Sequence, residues 1–377
     1  MGELRIAVVG AGIAGLATAG FLTRAGLPCT VFEQSTAPSE TGAGIQLSPN
    51  GTRLLHRIGL AGQLIRVGVR PAAIEIRRWQ DNRPVARTRL GAACEATFGA
   101  PYCTLHRADL YHALLGPVRQ LVRPGRRCVA VREYPDRVEL SFVDGSTVDA
   151  DLVIGADGLH SVVRRALVPD VVRFAGLVAY RGLVHAERVP STAADHRVVI
   201  WLGPGRHVVC YPIGRGLLNV VAVVPDPVAL GPLADAFPGW TPAVQTLLAA
   251  MPAPTRWPLY DRPPLSRWRT GRIVLVGDAA HPLLPFGAQG ANQAIEDAAT
   301  LAAHLDAGRD DVAGALARYE RARVPRLAQV RAMVRDNGVN HHLPDGEGQR
   351  RRDAVPGRDS LAGRAWLYGY DAELVAS

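Results

Sequence analysis

The chain has 377 residues, 48% apolar and 20% charged, a composition suited to a folded protein of two or three domains. It contains no run of 18 apolar residues, which excludes a membrane-spanning helix, and its five cysteines are scattered without a C-x-x-C pair, which argues against a disulfide framework or any zinc site. The formal charge is +9 and all 43 basic residues are arginine, which rules out lysine Schiff-base chemistry; no aromatic-interleaved basic stripe points to nucleic acid, so the charge is read as attraction for small anionic ligands.

Residues 4–9 are a short β-branched apolar run, the pattern of a buried parallel strand. Gly10-Ala11-Gly12-Ile13-Ala14-Gly15 follows, and 13–25 read as a helix closed by Gly26-Leu27-Pro28. A second strand over 28–33 ends on Glu33, 18 residues after Gly15. This is a dinucleotide-binding βαβ opening. Gly10 permits the tight turn, Gly12 admits a pyrophosphate, and Gly15 lets helix and strand pack closely. The helix N-terminus offers free N–H groups to phosphate, and Glu33 can accept hydrogen bonds from ribose hydroxyls.

Further along, 51–66 read as a helix, 74–79 and 85–90 as strands around a turn at 81–84, and 107–115 as a helix. Residues 129–132 and 138–143 form a hairpin. A strand at 152–155 ends in Ala156-Asp157-Gly158. From 171 to 269 the texture is β-rich, with runs at 177–185, 197–202, 207–213 and 218–224 and a helix near 240–251. Residues 271–278 return to a buried strand that places Asp278 at its end, within reach of a ribose or ribityl hydroxyl. The loop from Pro285 to Asn292 leads into a helix over 290–306, whose N–H groups suit an anion such as a reduced flavin. A helix over 312–337 follows, and the polar stretch 341–360 is expected to lack fixed order.

The expected fold class is α/β, α+β overall: a Rossmann-type nucleotide-binding domain, an interleaved β-sheet substrate domain and C-terminal helices. The nucleotide-binding parts are 1–73, 99–170 and 270–340, the substrate parts 74–98 and 171–269, and the C-terminal segment 341–377. The first strand begins at once and leaves no place for a cleaved leader, so a cytoplasmic protein is expected.

The ordered set Gly10-x-Gly12-x-x-Gly15 with Glu33, Ala156-Asp157-Gly158, Gly277-Asp278-Ala279-Ala280-His281-Pro282 and Gly287 to Asn292 resembles the single-component FAD-dependent aromatic hydroxylases, the p-hydroxybenzoate hydroxylase family. It is most similar to their salicylate hydroxylase and 6-hydroxynicotinate 3-monooxygenase branch. Gly42 to Asn50, Leu105 to Leu110, Tyr180-Arg181-Gly182, Tyr211-Pro212 and Trp366 to Ala372 extend the likeness over nearly the whole chain. The resemblance implies non-covalent FAD, NADH or NADPH as transient reductant, and O₂. By the same resemblance, one oxygen atom would pass through a flavin C4a-hydroperoxide to a small phenolic or hydroxypyridine-type ring. It places Gly10, Gly12, Ala14, Gly15 and Glu33 on the ADP half of FAD and Arg107 by the phosphate or ribityl region. Asp157 would serve FAD and NAD(P)H, Asp278 the ribityl chain, and Gly290, Ala291 and Asn292 the isoalloxazine edge. Pro285 would lie beside the reactive face, and His281 would be structural.

For the substrate, Arg181 is suited to a carboxylate or phenolate and Tyr211 to a phenolic oxygen. His207 shares a strand face with Tyr211 and could join it in a proton relay. Gln46 is expected near flavin and substrate. It stands where 6-hydroxynicotinate enzymes carry histidine, which argues against that substrate. Halogenation is excluded by the missing lysine. An epoxidase, a ring-opening oxygenase and a non-redox FAD-binding cyclase remain as alternatives. A monomer or homodimer is expected.

Overall fold

The computed structural model describes residues 4–37, 43–193, 196–226, 231–354 and 360–375; Gly42 and 355–359 of the polar stretch lie outside them. A five-stranded sheet runs in the order Ile273–Leu275, Leu152–Gly155, Ile6–Val9, Cys29–Phe32, Val122–Arg123, with every pair parallel. Its central strands are wholly buried apolar runs, as a sheet covered on both faces requires. The register sets Val9 opposite both Phe32 and Gly155, and Gly155 opposite Leu275. Four motifs far apart in sequence therefore leave the sheet at one edge: the glycine loop, Glu33, Ala156 to Gly158, and Gly277-Asp278. Ligands of open parallel sheets bind at such an edge.

A seven-stranded sheet runs Thr255–Asp261, Arg173–His185, Leu217–Pro225, Arg206–Pro212, Val198–Gly203, Ala73–Arg78, Pro84–Arg89. The strands expected at 74–79 and 85–90 thus hydrogen-bond into the later β-rich region, Ala73–Arg78 through a parallel pairing with Val198–Gly203. The period-two alternation divides its faces. Val208, Cys210, Val220 and Ala222 pack with Trp240, Val244 and Leu247, the last two from the helix Pro242–Ala249. Ile74, Val198, Tyr211 and Val223 face the opposite way, toward Phe286 and the C-terminal residues Leu367 and Tyr368. A two-stranded ribbon, Gly44–Leu47 with Cys103–His106, ties the sheets together. Thr104 Oγ1 donates to the Pro212 carbonyl at 2.5 Å, and Gly44 N–H donates to Asn219 Oδ1 at 2.6 Å.

The differences from expectation have local causes. The helix expected over 51–66 divides into Pro49–Arg57 and Ala61–Val67 because Gly59 takes a left-handed φ of 82°. Residues Gly91–Phe98, grouped with strands, form a helix. Gly44–Leu47, Cys103–His106 and Thr255–Asp261 are strands too short or too interrupted for periodicity to reveal. The last long helix continues to His341, and Glu347–Ala354 is helical where no order was expected. That helix is docked by Arg352, which donates to the Asn340 carbonyl at 2.8 Å.

Candidate active site

The glycine loop is shaped by contact. A Cβ on Gly15 would lie 1.9 Å from the Gly10 carbonyl oxygen, and one on Gly10, at φ +100°, would lie 2.5 Å from the Ala156 carbonyl oxygen. Gly12 differs, since no atom stands within 4 Å of its Cβ position. It opens on a groove of about 350 Å³ lined also by Ala14, Arg107, Gly158, Arg181, Asp278, Gly290 and Ala291. Two helices begin on this groove, Ile13–Arg24 after Gly12 and Gly290–Ala307 after Gln289, and neither has a side-chain cap. Their first N–H groups are left for a ligand. Glu33 Oε2 accepts from Ala11 N–H at 2.7 Å and Oε1 from Ser35 N–H at 2.8 Å, which fixes the loop and leaves acceptor capacity on both oxygens. Two anion-seeking helix ends, a cation at Arg107 and a carboxylate at Asp278 fit a long dinucleotide with a ring at one end.

Not every expected residue faces the groove. Asp157 turns away: its carboxylate accepts from Ser161 Oγ at 2.5 Å and from the N–H groups of Val162 at 2.6 Å and Val163 at 3.2 Å. It caps the helix Val162–Leu167, and Gly158 presents the groove wall instead. Asn292 is fully buried, accepting from Ser48 N–H at 3.0 Å and donating to the carbonyls of Gln46 at 3.2 Å and Ala288 at 2.9 Å. What it can offer a ligand is its main-chain N–H at the helix start. His281 is packed against Trp268 with ring centroids 5.0 Å apart and bonded to Asp297 at 2.5 Å, which is a structural setting.

The loop before Gly290 is held in tension. Ala288 adopts φ +50°, a region that favours glycine. Its carbonyl is fixed by Asn292, while Asn337 Nδ2 donates to the Phe286 carbonyl at 2.8 Å. Pro285 and Ala288 line both the groove and a second cavity of about 700 Å³, and Gln46, His207 and Val209 share that boundary.

The strand Arg206–Pro212 directs His207, Val209 and Tyr211 to the groove. The two polar residues nevertheless have separate neighbours. Gln46 Oε1 accepts from Tyr102 Oη at 2.6 Å, and the Gln46 side chain lies near enough to Tyr211 to work against the upward shift of its phenol. His207 Nδ1 meets His342 Nε2 at 2.8 Å, so a direct His207–Tyr211 relay is replaced by a His207–His342 pair. Burial, with His341 and His342 nearby, pushes the His207 imidazole well below its ordinary value, so it is neutral. Burial likewise pushes the Tyr211 phenol up, against Arg181 and Gln46, so it stays protonated and can donate. Arg181 lines the same groove with its guanidinium 5.6 Å from the Trp257 ring, and its buried Nε has no hydrogen-bond partner among the described residues. Sequence patterning does not single out Tyr102 or His342, where only the adjacent pair His341-His342 carries any signal, and it includes Ala288 only as part of the Pro285 to Asn292 loop.

The family model described as an FAD binding domain matches residues 3–227 and 243–334. The chain is 48% identical over 386 residues to the 3-amino-4-hydroxybenzoate 2-monooxygenase PtnB3 of Streptomyces platensis, covering 99% of this chain and 98% of that one. It is 38% identical to the 6-hydroxynicotinate 3-monooxygenase of Bordetella bronchiseptica, with 89% and 92% covered. Among solved structures, Klebsiella pneumoniae HpxO, complexed with FAD and uric acid, superposes with a TM-score of 0.88 at 29% identity, covering 99% and 97%. The chain therefore belongs to the FAD binding domain family and is an FAD-dependent monooxygenase of its aromatic-hydroxylating branch.

Proposed function

We propose that this enzyme hydroxylates a single aromatic ring bearing an ionisable hydroxyl and a carboxylate, of the aminohydroxybenzoate or hydroxybenzoate type, with NADH or NADPH as reductant. The observation that carries this reading is Arg181: a half-buried arginine whose buried Nε has no hydrogen-bond partner among the described residues, in one groove with Tyr211 and His207. A buried donor without a partner is costly, and an anionic ligand group supplies the missing partner. The substrates named for the 48% and 38% identical relatives are both hydroxylated ring acids.

Bound FAD supplies electron transfer from the nicotinamide and activation of O₂. The chain's own residues do the rest. The Ile13–Arg24 helix start, Glu33 and Arg107 bind the nucleotide half, and the N–H groups of Gly290, Ala291 and Asn292 face the ring edge. Pro285 and Ala288 wall the junction of the two cavities. Arg181 orients the carboxylate, Tyr211 donates to the ring oxygen, and His207 accepts its proton so that the ring becomes nucleophilic. The enzyme is read as cytoplasmic and monomeric or homodimeric, with nucleotide-binding parts 1–73, 99–170 and 270–340 and substrate parts 74–98 and 171–269.

The test is NAD(P)H oxidation by the yellow protein with 3-amino-4-hydroxybenzoate, 3-hydroxybenzoate, 6-hydroxynicotinate and salicylate, following O₂ uptake, peroxide and product mass together. Coupled turnover with a product 16 mass units heavier is expected for at least one ring acid. Peroxide equal to the NAD(P)H consumed, with every one of them, sinks the reading.

A further inference from the structure

His342 lies just beyond the helix Val312–His341, as its C-cap residue, half-buried and far in sequence from His207. Three contacts hold it in place. Its Nδ1 is 2.8 Å from the Gly338 carbonyl oxygen, its Nε2 is 2.8 Å from His207 Nδ1, and its own carbonyl accepts from Gly205 N–H at 3.1 Å. The last bond anchors the helix end to the turn that leads into the strand carrying His207.

These contacts fix both tautomers. A carbonyl oxygen only accepts, so His342 Nδ1 carries the hydrogen. In neutral His342 the Nε2 is then a bare acceptor, and His207 Nδ1 must carry the hydrogen that joins them. His207 Nε2 is left with a lone pair, on a side chain that lines both cavities.

We propose that His342 is the second member of a proton relay, taking the substrate's hydroxyl proton from His207 and carrying it out at the end of the Val312–His341 helix. The proposal rests on the substrate reading above. The steps balance. The substrate O–H bond breaks and an N–H bond forms at His207 Nε2; the His207 Nδ1 hydrogen passes to His342 Nε2. The products are a ring oxyanion, a neutral His207 of the opposite tautomer, and a His342 imidazolium protonated on both nitrogens. Burial pushes the His342 imidazole below its ordinary value, so the charge is held only in passing, while the Gly338 carbonyl at Nδ1 and the helix C-terminus favour the cation. Being half-buried, it can release the proton to solvent, whereas His207 is buried. Arg181 remains with the carboxylate and Tyr211 with the ring oxyanion.

The cavity lined by His207 also carries charged and titratable groups from the elements packed around it. From the same helix come Asp336 and His341, the His341 ring 5.1 Å from that of His207. From Glu347–Ala354 come Arg352 and Asp353, paired at 2.8 Å, and from the C-terminal segment comes Arg364. The Pro285 to Gly287 loop contributes Phe286, which meets both imidazoles edge-on.

Two measurements on the holoenzyme test the relay. Long-range ¹H–¹⁵N spectra of the histidine rings need no substrate: both His207 and His342 are expected with a protonated Nδ1 and a bare Nε2. A His207 protonated at Nε2 overturns the proposal. Kinetics with the ring acids then compare His342→Gln and His342→Ala. Glutamine keeps an amide oxygen to accept from His207 but cannot pass a proton onward. In His342→Gln, kcat for hydroxylation is expected to fall about tenfold or more, with KM and flavin content retained and the pH profile displaced to higher pH. Added imidazole is expected to restore part of the rate in His342→Ala. Wild-type kcat and pH profile in both variants overturn the relay while leaving the substrate reading intact. Failure of the wild-type enzyme to hydroxylate any ring acid overturns that reading and the relay with it.

Discussion

Asp297 and Arg323 form an ion pair of 2.7 Å with neither side chain exposed. The same Arg323 donates to Glu296 at 2.6 Å, and Asp297 Oδ2 accepts from Gly277 N–H at 2.8 Å and bonds His281 at 2.5 Å. A buried charge pair on two long helices thus holds the turn from which Asp278 enters the groove. Removing one partner strands a charge in the core. Arg323→Ala is expected to cost about 3–5 kcal/mol and to release flavin. Urea unfolding and the flavin-to-protein absorbance ratio check it; an unchanged midpoint disproves it.

The same network sets an acid limit. Burial pushes the Asp297 carboxyl up, but His281 and Arg323 outweigh it and bring it from 3.8 down to about 2. A depressed carboxylate contributes stability above its unfolded value and loses it as pH falls through the folded one. Stability is therefore expected to decline between about pH 4 and pH 2, and less steeply in Asp297→Asn, whose midpoint is already lower. Equal slopes in the two proteins would assign acid unfolding to other groups.

The glycine loop gives a paired test. A side chain at Gly12 enters open groove, whereas one at Gly15 meets the Gly10 carbonyl at 1.9 Å. Gly12→Val is expected to fold with the melting temperature of flavin-stripped wild-type protein but to bind FAD at least tenfold more weakly. Gly15→Ala is expected to lower stability by about 1–3 kcal/mol even without flavin. Flavin titration and thermal melts of both apoproteins separate these outcomes, and full flavin affinity in Gly12→Val contradicts the groove assignment.

For the chemistry, Arg181→Ala is expected to raise KM for a ring acid about tenfold or more, by loss of a charged contact of about 1.5–3 kcal/mol. Tyr211→Phe is expected to lower kcat with flavin content intact. Steady-state kinetics and coupling ratios check both. Unchanged turnover and coupling in the two variants would remove them from the site.

Asp157 separates a structural role from a ligand role. Its carboxylate caps the helix Val162–Leu167 from inside. Asp157→Ala is expected to cost about 0.5–2 kcal/mol of stability, and Ser161→Ala, which removes the neighbouring cap, to act in the same direction. Ser161→Ala is also expected to leave flavin affinity alone. A large loss of NAD(P)H binding in Asp157→Ala, without loss of stability, would restore the ligand role.

The sequence by itself determined the parts whose physics is local. A βαβ with glycines where turn and phosphate require them reads directly, because Gly10, Gly12 and Gly15 act within a few residues of one another. The buried parallel strands and the long helices from Gly290 and Val312 also read directly, from apolar runs and period. Tertiary structure decided which polar groups meet. Asp157 and Asn292 were in the right loops, yet their side chains satisfy helix starts and carbonyls brought close by packing. His207 and Tyr211 share a strand face as period two demands, but His207's partner, His342, comes from another element. A buried hydrogen bond is set by whichever donor or acceptor folding delivers within 3 Å, and no spacing along the chain encodes that when the partners are more than a hundred residues apart.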